Sequence, residues 1–226
     1  MNNAISIDVI SDVVCPWCYV GKRRLERALA LVPQYAATVR WRPFRLDPTI
    51  PPEGISRDDY LTRKFGADGA ASMFAQLQDL ADPEGIVFNF DRIERSPNTV
   101  DAHRLIKWAQ SEDLGDDLVE RLFVAYFSEG RDIGEADVLV ALADEAGMVA
   151  DEVRARLAGE EDRAETVAEV ENAFRIGVSG VPCFILQESL VVMGARPAEI
   201  IVQAIGQAMA EPTAEAANDD PPPSSR

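Results

Sequence analysis

The sequence predicts an α/β fold in which strands at the two ends of the chain flank a long helical segment. Ala4–Ile10 is rich in β-branched residues, which favour a strand. The alternation at Thr38–Leu46 indicates a second strand, and Val178–Leu186 and Leu190–Met193 indicate two more in a hairpin. Between these segments, residues 57–176 show almost no strand pattern. We therefore expect one sheet whose strands are separated in sequence by helices.

A helix joins the first two strands. Pro16 fits its first position, because the φ of proline is already helical and its missing N–H would have no partner there. Leu25, Leu29 and Val32 then recur at helical spacing. Strand, helix and strand make a β-α-β unit, and a right-handed crossover would make the two strands parallel. A last helix, Pro197–Met209, follows the C-terminal hairpin.

This pattern predicts three parts of the chain. Residues 1–56 and 177–210 form one discontinuous α/β domain. Residues 57–176 form an all-helical insertion whose size is typical of a domain. Residues 211–226 are rich in Pro, Ser and Asp and lack apolar anchors, so we expect a disordered tail.

Two cysteines, Cys15 and Cys18, lie one turn apart where the first helix begins. Cys15 is the expected N-cap, and the free N–H groups and positive dipole end of a helix stabilise a thiolate there. A lowered thiol pKa makes Cys15 a nucleophile, and Cys18 is close enough to form a disulfide with it. A strand that leads into C-x-x-C at a helix start therefore indicates redox chemistry.

Half of a zinc site is the alternative interpretation of two cysteines at this spacing. A tetrahedral zinc ion needs two more ligands. The chain offers one further cysteine, Cys183, and one histidine, His103, and it has no second C-x-x-C. The ligand count favours redox chemistry, and no metal site is predicted.

Composition and charge exclude several classes of function. The formal net charge of −17 disfavours nucleic acid and anionic membranes as partners, since both require positive charge. The first predicted strand begins within a few residues of Met1, which leaves no room for a secretion signal. Three cysteines, two of them in C-x-x-C, are also unlike a secreted disulfide framework. We therefore expect a cytoplasmic protein.

Three sequence blocks carry a family resemblance. They are S-D-V-V-C-P-W-C-Y-V-G (Ser11–Gly21), S-P-N-T-V-D-A-H-R-L (Ser96–Leu105) and G-V-S-G-V-P-C-F (Gly177–Phe184). In this order they resemble the DsbA-like group of the thioredoxin superfamily, most closely its FrnE-like branch, which includes 2-hydroxychromene-2-carboxylate isomerases. The resemblance implies a thioredoxin fold with a large helical insertion.

The resemblance also implies a site. Val181-Pro182 takes the position of the cis-proline loop beside the cysteines, and its exposed backbone could pair with a substrate peptide or with glutathione. Pro182 then belongs to the catalytic set. Pro16 and Trp17, which separate the two cysteines, are expected to contact substrate, with Trp17 exposed.

The leading hypothesis for the function is a thiol–disulfide oxidoreductase in which Cys15 attacks a substrate disulfide and Cys18 resolves the mixed disulfide. A glutathione-dependent isomerase or transferase acting on a small aromatic or polyketide-like molecule is the alternative. Relatives of that kind carry serine at the position of Cys15, so the intact pair favours redox chemistry. A binding or chaperone-like module without catalysis is a third class, and the dithiol argues against it.

Further residues are open between structural and functional roles. His103 is either a substrate contact or an internal helix residue, and Cys183 is either a small buried strand residue or a third redox thiol. Asn98, also a candidate substrate contact, is better explained as the cap of a helix ending near Ser111, with Asp101 completing a capping box. No tightly bound cofactor is expected. The resemblance implies glutathione as a possible co-substrate and a possible homodimer.

Overall fold

The protein is described from a computed structural model over residues 3–66 and 69–210, with residues 69–72 as backbone alone. The predicted disordered tail, 211–226, lies outside the described residues. Four strands form the main sheet: β1 (Ala4–Ser11), β2 (Ala36–Pro43), β5 (Cys183–Leu186) and β6 (Leu190–Met193). Their order is β2-β1-β5-β6, with β1 and β2 parallel and the other neighbours antiparallel.

Helices supply most of the remaining architecture. In the described residues they are α1 (Pro16–Leu31), α2 (Arg57–Phe65), α3 (Gly69–Ala81), α4 (Val100–Ser111), α5 (Gly115–Phe123), α6 (Ala136–Ala146), α7 (Ala150–Ala158), α8 (Arg163–Arg175) and α9 (Ala198–Ala210). Short 3₁₀ turns occur at Asp82–Glu84 and Phe90–Arg92. No helix in the described part of the chain is long and apolar enough to cross a membrane.

Helices α1 and α9 pack together over one face of the sheet. The buried side chains of Ile7, Phe184 and Ile205 belong to this core. A close approach brings α1 onto the start of β5, because a Cβ on Gly21 would lie 2.7 Å from Pro182 Cγ and 3.3 Å from Phe184 Cζ. The absence of a side chain at Gly21 therefore sets the distance between α1 and the segment before β5.

An aromatic cluster joins α1 to the inserted helices. Tyr19 of α1 stacks on Phe123 of α5 with ring centroids 4.9 Å apart. Phe127 lies 6.3 Å from Tyr19 and packs edge-on against Phe88 at 5.3 Å. Aromatic pairs in such geometries contribute about 0.5–1.5 kcal/mol each beyond the area that they bury. The insertion thus shares one continuous hydrophobic core with the sheet domain.

The predicted α/β fold with a helical insertion is confirmed, but the insertion is not entirely helical. Residues Arg95–Ser96 form β4, which pairs antiparallel with β3 (Ile55–Ser56) just before α2. Helix α5 ends at Phe123, and a π-helix follows it directly over Val124–Glu129. The domain boundaries themselves stay a prediction.

Two strand boundaries differ from the predictions. The second strand begins at Ala36 and ends at Pro43, where proline removes a ladder N–H. The segment from Val178 to Pro182 is loop, and β5 begins only at Cys183. Gly177 at φ +91° and the proline at 182 interrupt extended pairing there.

Candidate functional site

Cys15 is the N-cap of α1, as predicted. Its backbone is extended (φ −93°, ψ 112°), and Pro16 occupies the first helical turn. The Cys15 carbonyl accepts the N–H of Cys18 at 3.0 Å and that of Tyr19 at 3.3 Å. The helix start leaves N–H groups without intrahelical partners, and these favour negative charge on a capping group. The Cys15 thiol, 2% exposed, lies 3.8 Å from the carbonyl oxygen of Val181.

Cys18 is a buried thiol inside the first turn of α1. Burial raises its pKa well above the ordinary value, and contact with Cys15 raises it further. The nearby Ser11 side chain and Asp12 backbone shift the pKa of Cys18 in the opposite direction, by a smaller amount. Cys18 is therefore a neutral thiol at physiological pH, in contact with Cys15.

The loop beside the cysteines has the geometry that the resemblance implied. The Val181–Pro182 peptide bond is cis. Pro182 is fixed from two sides, because its carbonyl accepts the Gly194 N–H at 2.8 Å and its ring lies against the space at Gly21. The Val181 carbonyl faces the Cys15 thiol. Pairing of this backbone with a substrate stays a prediction.

Trp17 is less exposed than expected. It is half-buried and packs against the main core, as Val14 and Val181 do. Pro16 is likewise half-buried. The expectation of an exposed Trp17 between the cysteines is wrong, because the indole folds back onto the apolar surface around the site.

Cys183 lies on the other face of the sheet from the dithiol. It pairs in register with Ile10 and packs with Phe44, Ala173 and Val178 in a separate small cluster. The next residue in β5 faces α1, and successive strand side chains point to opposite faces. Burial raises the pKa of the Cys183 thiol. These features favour a structural role for Cys183.

His103 and Asn98 use their polar atoms inside the protein. His103 is 5% exposed, and its Nε2 lies 2.9 Å from the Phe44 carbonyl oxygen and 3.5 Å from Asp12 Oδ1. Asn98 donates to the Ile50 carbonyl oxygen at 2.9 Å. These contacts favour structural roles for both residues over contact with substrate.

The predicted capping box at the start of α4 is wrong. The N-cap is Thr99, one residue later, although Asn98 Oδ1 still accepts the Val100 N–H at 3.1 Å. Asp101 forms ion pairs with Arg104 at 2.7 Å and Arg163 at 2.9 Å instead of capping the helix. The carboxylate is drawn to the arginines because they offer charge-assisted hydrogen bonds.

A group of buried polar residues near the cysteines was not predicted. Asp12 precedes the dithiol and is 1% exposed, and its Oδ2 accepts the Leu46 N–H at 2.8 Å. Arg57, Ser96 and Tyr126 come from the insertion and line the same narrow cleft as Asp12. Asp12 and Ser96 lie within the sequence blocks that carry the family resemblance, and this was the only signal that could have placed them at the site. No sequence pattern indicated Arg57.

A wider cleft of about 630 Å³ lies between α1, β2 and the start of α5. Lys22 and Trp41 line it, but neither cysteine does. Within the described ranges, no three His, Cys, Asp or Glu side chains come together as a set of metal ligands. Cys15 and Cys18 thus lie outside the wider cleft, at the start of α1 and beside the loop that ends at Pro182.

Comparisons with known proteins agree with this architecture. The probable DsbA oxidoreductase SCO1869 from Streptomyces coelicolor is 35% identical, with 92% of each chain covered and a TM-score of 0.84. A 2-hydroxychromene-2-carboxylate isomerase is 17% identical over 96% of this chain and 100% of its own, with a TM-score of 0.68. The cytosolic disulfide reductase DsbM from Pseudomonas aeruginosa, solved with GSH, is 22% identical over 91% of this chain and 96% of its own, with a TM-score of 0.59.

The last two likenesses show the fold alone, whereas the first, at 35% identity, extends to the sequence. The model of the DSBA-like thioredoxin domain family matches residues 6–206, which include the dithiol, the whole insertion and the cis-proline. The chain belongs to the DSBA-like thioredoxin domain family.

Proposed function

We propose that the protein is a thiol–disulfide oxidoreductase whose working groups are Cys15 and Cys18. The observation that carries the proposal is the asymmetry of the pair. Cys15 is the N-cap of α1 with its thiol 3.8 Å from the Val181 carbonyl oxygen, while Cys18 lies inside the first helical turn, where burial raises the pKa of its thiol. A pair of this kind provides one attacking group and one resolving group.

In the proposed reaction, the Cys15 thiolate attacks one sulfur of a substrate disulfide and the other sulfur leaves as a thiolate. Cys18 then loses its proton and attacks the Cys15 sulfur. This step releases the second substrate thiolate and forms the Cys15–Cys18 disulfide. Two electrons pass from the dithiol to the substrate, and the reverse sequence oxidises a substrate dithiol. Because Cys15 is 2% exposed, substrate sulfur reaches it only when neighbouring side chains move.

A redox titration in glutathione buffers tests the proposal, with alkylation of free thiols and mass spectrometry as the readout. The expected result is a single two-electron transition that forms a Cys15–Cys18 disulfide. The transition disappears in Cys15→Ser and is retained in the matched variant Cys183→Ser, whose thiol lies on the opposite sheet face. A protein that forms no disulfide at any buffer ratio, or a transition lost in Cys183→Ser, contradicts the proposal.

A glutathione-dependent isomerase is the second candidate, and the fold likeness to 2-hydroxychromene-2-carboxylate isomerase favours it. In that function one activated glutathione thiol suffices and no resolving cysteine is needed. Full activity of Cys18→Ser on a small aromatic substrate with glutathione would support the isomerase. Accumulation of a stable mixed disulfide on Cys15 in the same variant supports the oxidoreductase, since the resolving thiol is then missing.

We place the proposed activity in a reducing, cytoplasmic compartment. The neighbour DsbM is described as a cytosolic disulfide reductase and was solved with GSH, which supports glutathione as a co-substrate. Expression of the unmodified chain, followed by alkylation before lysis, tests this placement. A dithiol that is mostly reduced in intact cells agrees with it, and a fully oxidised pair contradicts it.

A further inference from the structure

Arg57 is a buried cation for which the structure shows no anionic partner. The residue begins α2 and is 7% exposed. Its Nη1 makes two long contacts, 3.3 Å to the Tyr126 hydroxyl and 3.5 Å to Ser96 Oγ. Its Nε is buried without any acceptor, and no carboxylate of the described residues lies within 4.0 Å of the guanidinium. Burying a charge without a partner is costly, so this position needs an explanation.

The two carboxylates that line the same cleft do not form an ion pair with Arg57. Asp12 directs Oδ2 to the Leu46 N–H, and its Oδ1, 3.5 Å from His103 Nε2, has no hydrogen-bond partner among the described residues. Asp47 accepts both the backbone N–H and the hydroxyl of Thr49, at 2.9 and 2.5 Å. Neither carboxylate lies within 4.0 Å of the Arg57 guanidinium.

Asp47, the second carboxylate of the cleft, has cations other than Arg57 beside it. Burial raises the pKa of Asp47, but hydrogen bonds from Thr49 and the charges of Lys64 and Arg45 lower it below its ordinary value overall. Asp47 is thus ionised, with two cations of its own. Arg57, by contrast, has no carboxylate of the described residues within 4.0 Å, and only the Tyr60 ring lies over its guanidinium, with 5.6 Å from Cζ to the ring centroid.

The cleft lies beside the start of α1 and is narrow in this structure. Its volume is about 10 Å³, room for about one water molecule, so a substrate group enters it only when the walls move apart. Val14, the residue immediately before Cys15, forms part of its wall. Tyr126 lies in the π-helical turn Val124–Glu129, a local geometry that is frequent at functional sites.

We propose that Arg57, supported by Tyr126 and Ser96, binds a carboxylate group of the thiol or disulfide substrate beside Cys15. This inference rests on the proposed oxidoreductase function and names a chemical class for its substrate. A guanidinium offers parallel N–H groups that match a carboxylate, and the unpartnered Nε is one of them. The carboxylate would replace the missing anion when the substrate sulfur approaches Cys15.

Two small disulfides of nearly equal size test the inference: dithiodipropionate, which carries carboxylates, and its neutral diamide. The reduced protein is mixed with each, and the rate constant for oxidation of the dithiol is measured. The quantity compared is the ratio of the carboxylate rate constant to the diamide rate constant. A ratio removes effects common to both reactions, such as a small change in thiol reactivity.

The expected result is a fall in this ratio of at least about tenfold in Arg57→Gln, since hydrogen bonds to charged groups are worth roughly 1.5–3 kcal/mol. Arg63→Gln, an exposed arginine on the same helix, makes the same change in net charge and leaves the ratio as in the wild type. Arg57→Lys keeps the charge without the planar fork and gives an intermediate ratio. Oxidised glutathione and its tetraethyl ester form a second pair, which shows whether glutathione can supply the carboxylate.

The outcomes separate this inference from the proposed function. A wild-type dithiol that reacts with neither disulfide overturns the oxidoreductase function. Reaction with both disulfides, at the same ratio in the wild type, Arg57→Gln and Arg57→Lys, leaves that function standing and overturns the carboxylate site; Arg57 is then hydrated or purely structural. Should Arg57→Gln fail to fold, the ratio in Arg57→Lys decides, since that variant retains the buried charge.

Discussion

At the scale of single residues, Gly21 controls how α1 meets the cis-proline loop. The position lies on the buried side of α1, one turn after Cys18, and faces Pro182 and Phe184. A glycine inside a helix ordinarily costs about 0.5–1 kcal/mol relative to alanine, so its presence here needs a packing reason. The 2.7 Å approach of Pro182 Cγ to the site of a Cβ supplies that reason.

We therefore expect Gly21→Ala to destabilise the protein by about 1–3 kcal/mol, because the added methyl group overpacks a filled site. It should also slow disulfide exchange, since the displaced loop carries the Val181 carbonyl that faces Cys15. Urea unfolding measures the first effect, and the rate of dithiol oxidation measures the second. Gly206→Ala in α9 is the matched control, because nothing lies within 4 Å of its Cβ position.

Alanine at position 206 should stabilise the protein by about 0.5–1 kcal/mol through helix propensity alone. If both glycine variants were stabilised equally, the close packing of α1 against the cis-proline loop would not constrain the protein. A loss of stability at both positions would instead mean that a side chain at position 206 meets a neighbour, contrary to the open space found there.

At the scale of elements, the contact between α1 and α5 combines ring stacking with an ion-pair cluster. Lys22 of α1 has a side chain 2% exposed and pairs with Glu26, with Asp116 at 3.2 Å and with Glu120 at 3.2 Å. Burial alone would lower the pKa of Lys22, but Asp116, Glu26 and Glu120 raise it above its ordinary value. The cluster therefore fixes the insertion to the helix that carries both cysteines.

Replacing Lys22 with Met should destabilise the protein by roughly 1–3 kcal/mol, because it removes the cation that three carboxylates share, although Arg23 still pairs with Glu26 and Glu120. The full buried-pair cost is not expected, since Glu26 and Asp116 are 38% and 60% exposed and are partly screened by solvent. The free energy of unfolding from urea titration checks the magnitude. The sign of the pKa shift means that this contribution is present at neutral pH and is lost as pH rises past the ordinary pKa of lysine.

Arg121→Met is the control for Lys22→Met. Arg121 of α5 pairs with Asp117 at 3.0 Å and with Glu145 of α6 at 3.4 Å, and such exposed pairs contribute only about 0.2–1 kcal/mol each. Equal losses in the two variants would show that the Lys22 cluster acts as ordinary surface charge and does not fix α1 to α5.

At the scale of the whole molecule, the sequence predicted the parts that repeat a strong local pattern. The β-branched first strand, the helix opened by Pro16 and the strand Leu190–Met193 match the predictions, because residue type and spacing within each segment are enough to indicate it. The pairing of Ile55–Ser56 with Arg95–Ser96 could not be predicted, since two residues define no period and tertiary contact alone selects their partner.

The site was predicted unevenly for the same reason. Residue type and spacing were enough to predict Cys15, Cys18 and Pro182, and the structure brings these three residues together. Arg57 begins a helix with two acidic neighbours and resembles a solvated surface residue. Arg57 is buried because its side chain contacts Tyr126, a residue 69 positions later in the sequence. Long-range placement of this kind leaves no local pattern.

Four buried acids respond to pH in the same direction across the molecule. Burial raises the pKa of Cys18, Cys183, Tyr19 and Tyr126, in each case as the largest cause, and the two tyrosines reach about 12. A folded-state pKa above the unfolded value gives stability that is fully present below the unfolded pKa. That stability is lost as pH rises toward the folded pKa. The protein should thus be stable at neutral pH and weaken at alkaline pH.

Tyr126→Phe isolates one of these groups, because Tyr126 is 1% exposed and its hydroxyl donates to the Arg95 carbonyl oxygen at 3.2 Å. An unfolded tyrosine ionises near pH 10, so the shift to about 12 corresponds to about 2–3 kcal/mol, lost mainly between about pH 10 and about pH 12. Urea unfolding at several pH values in this window should give a steeper decline for the wild type than for Tyr126→Phe. Parallel declines would mean that water reaches the Tyr126 hydroxyl in the folded state. The cleft beside Cys15 would then be hydrated to its base, and Arg57 would need no ligand to balance its charge.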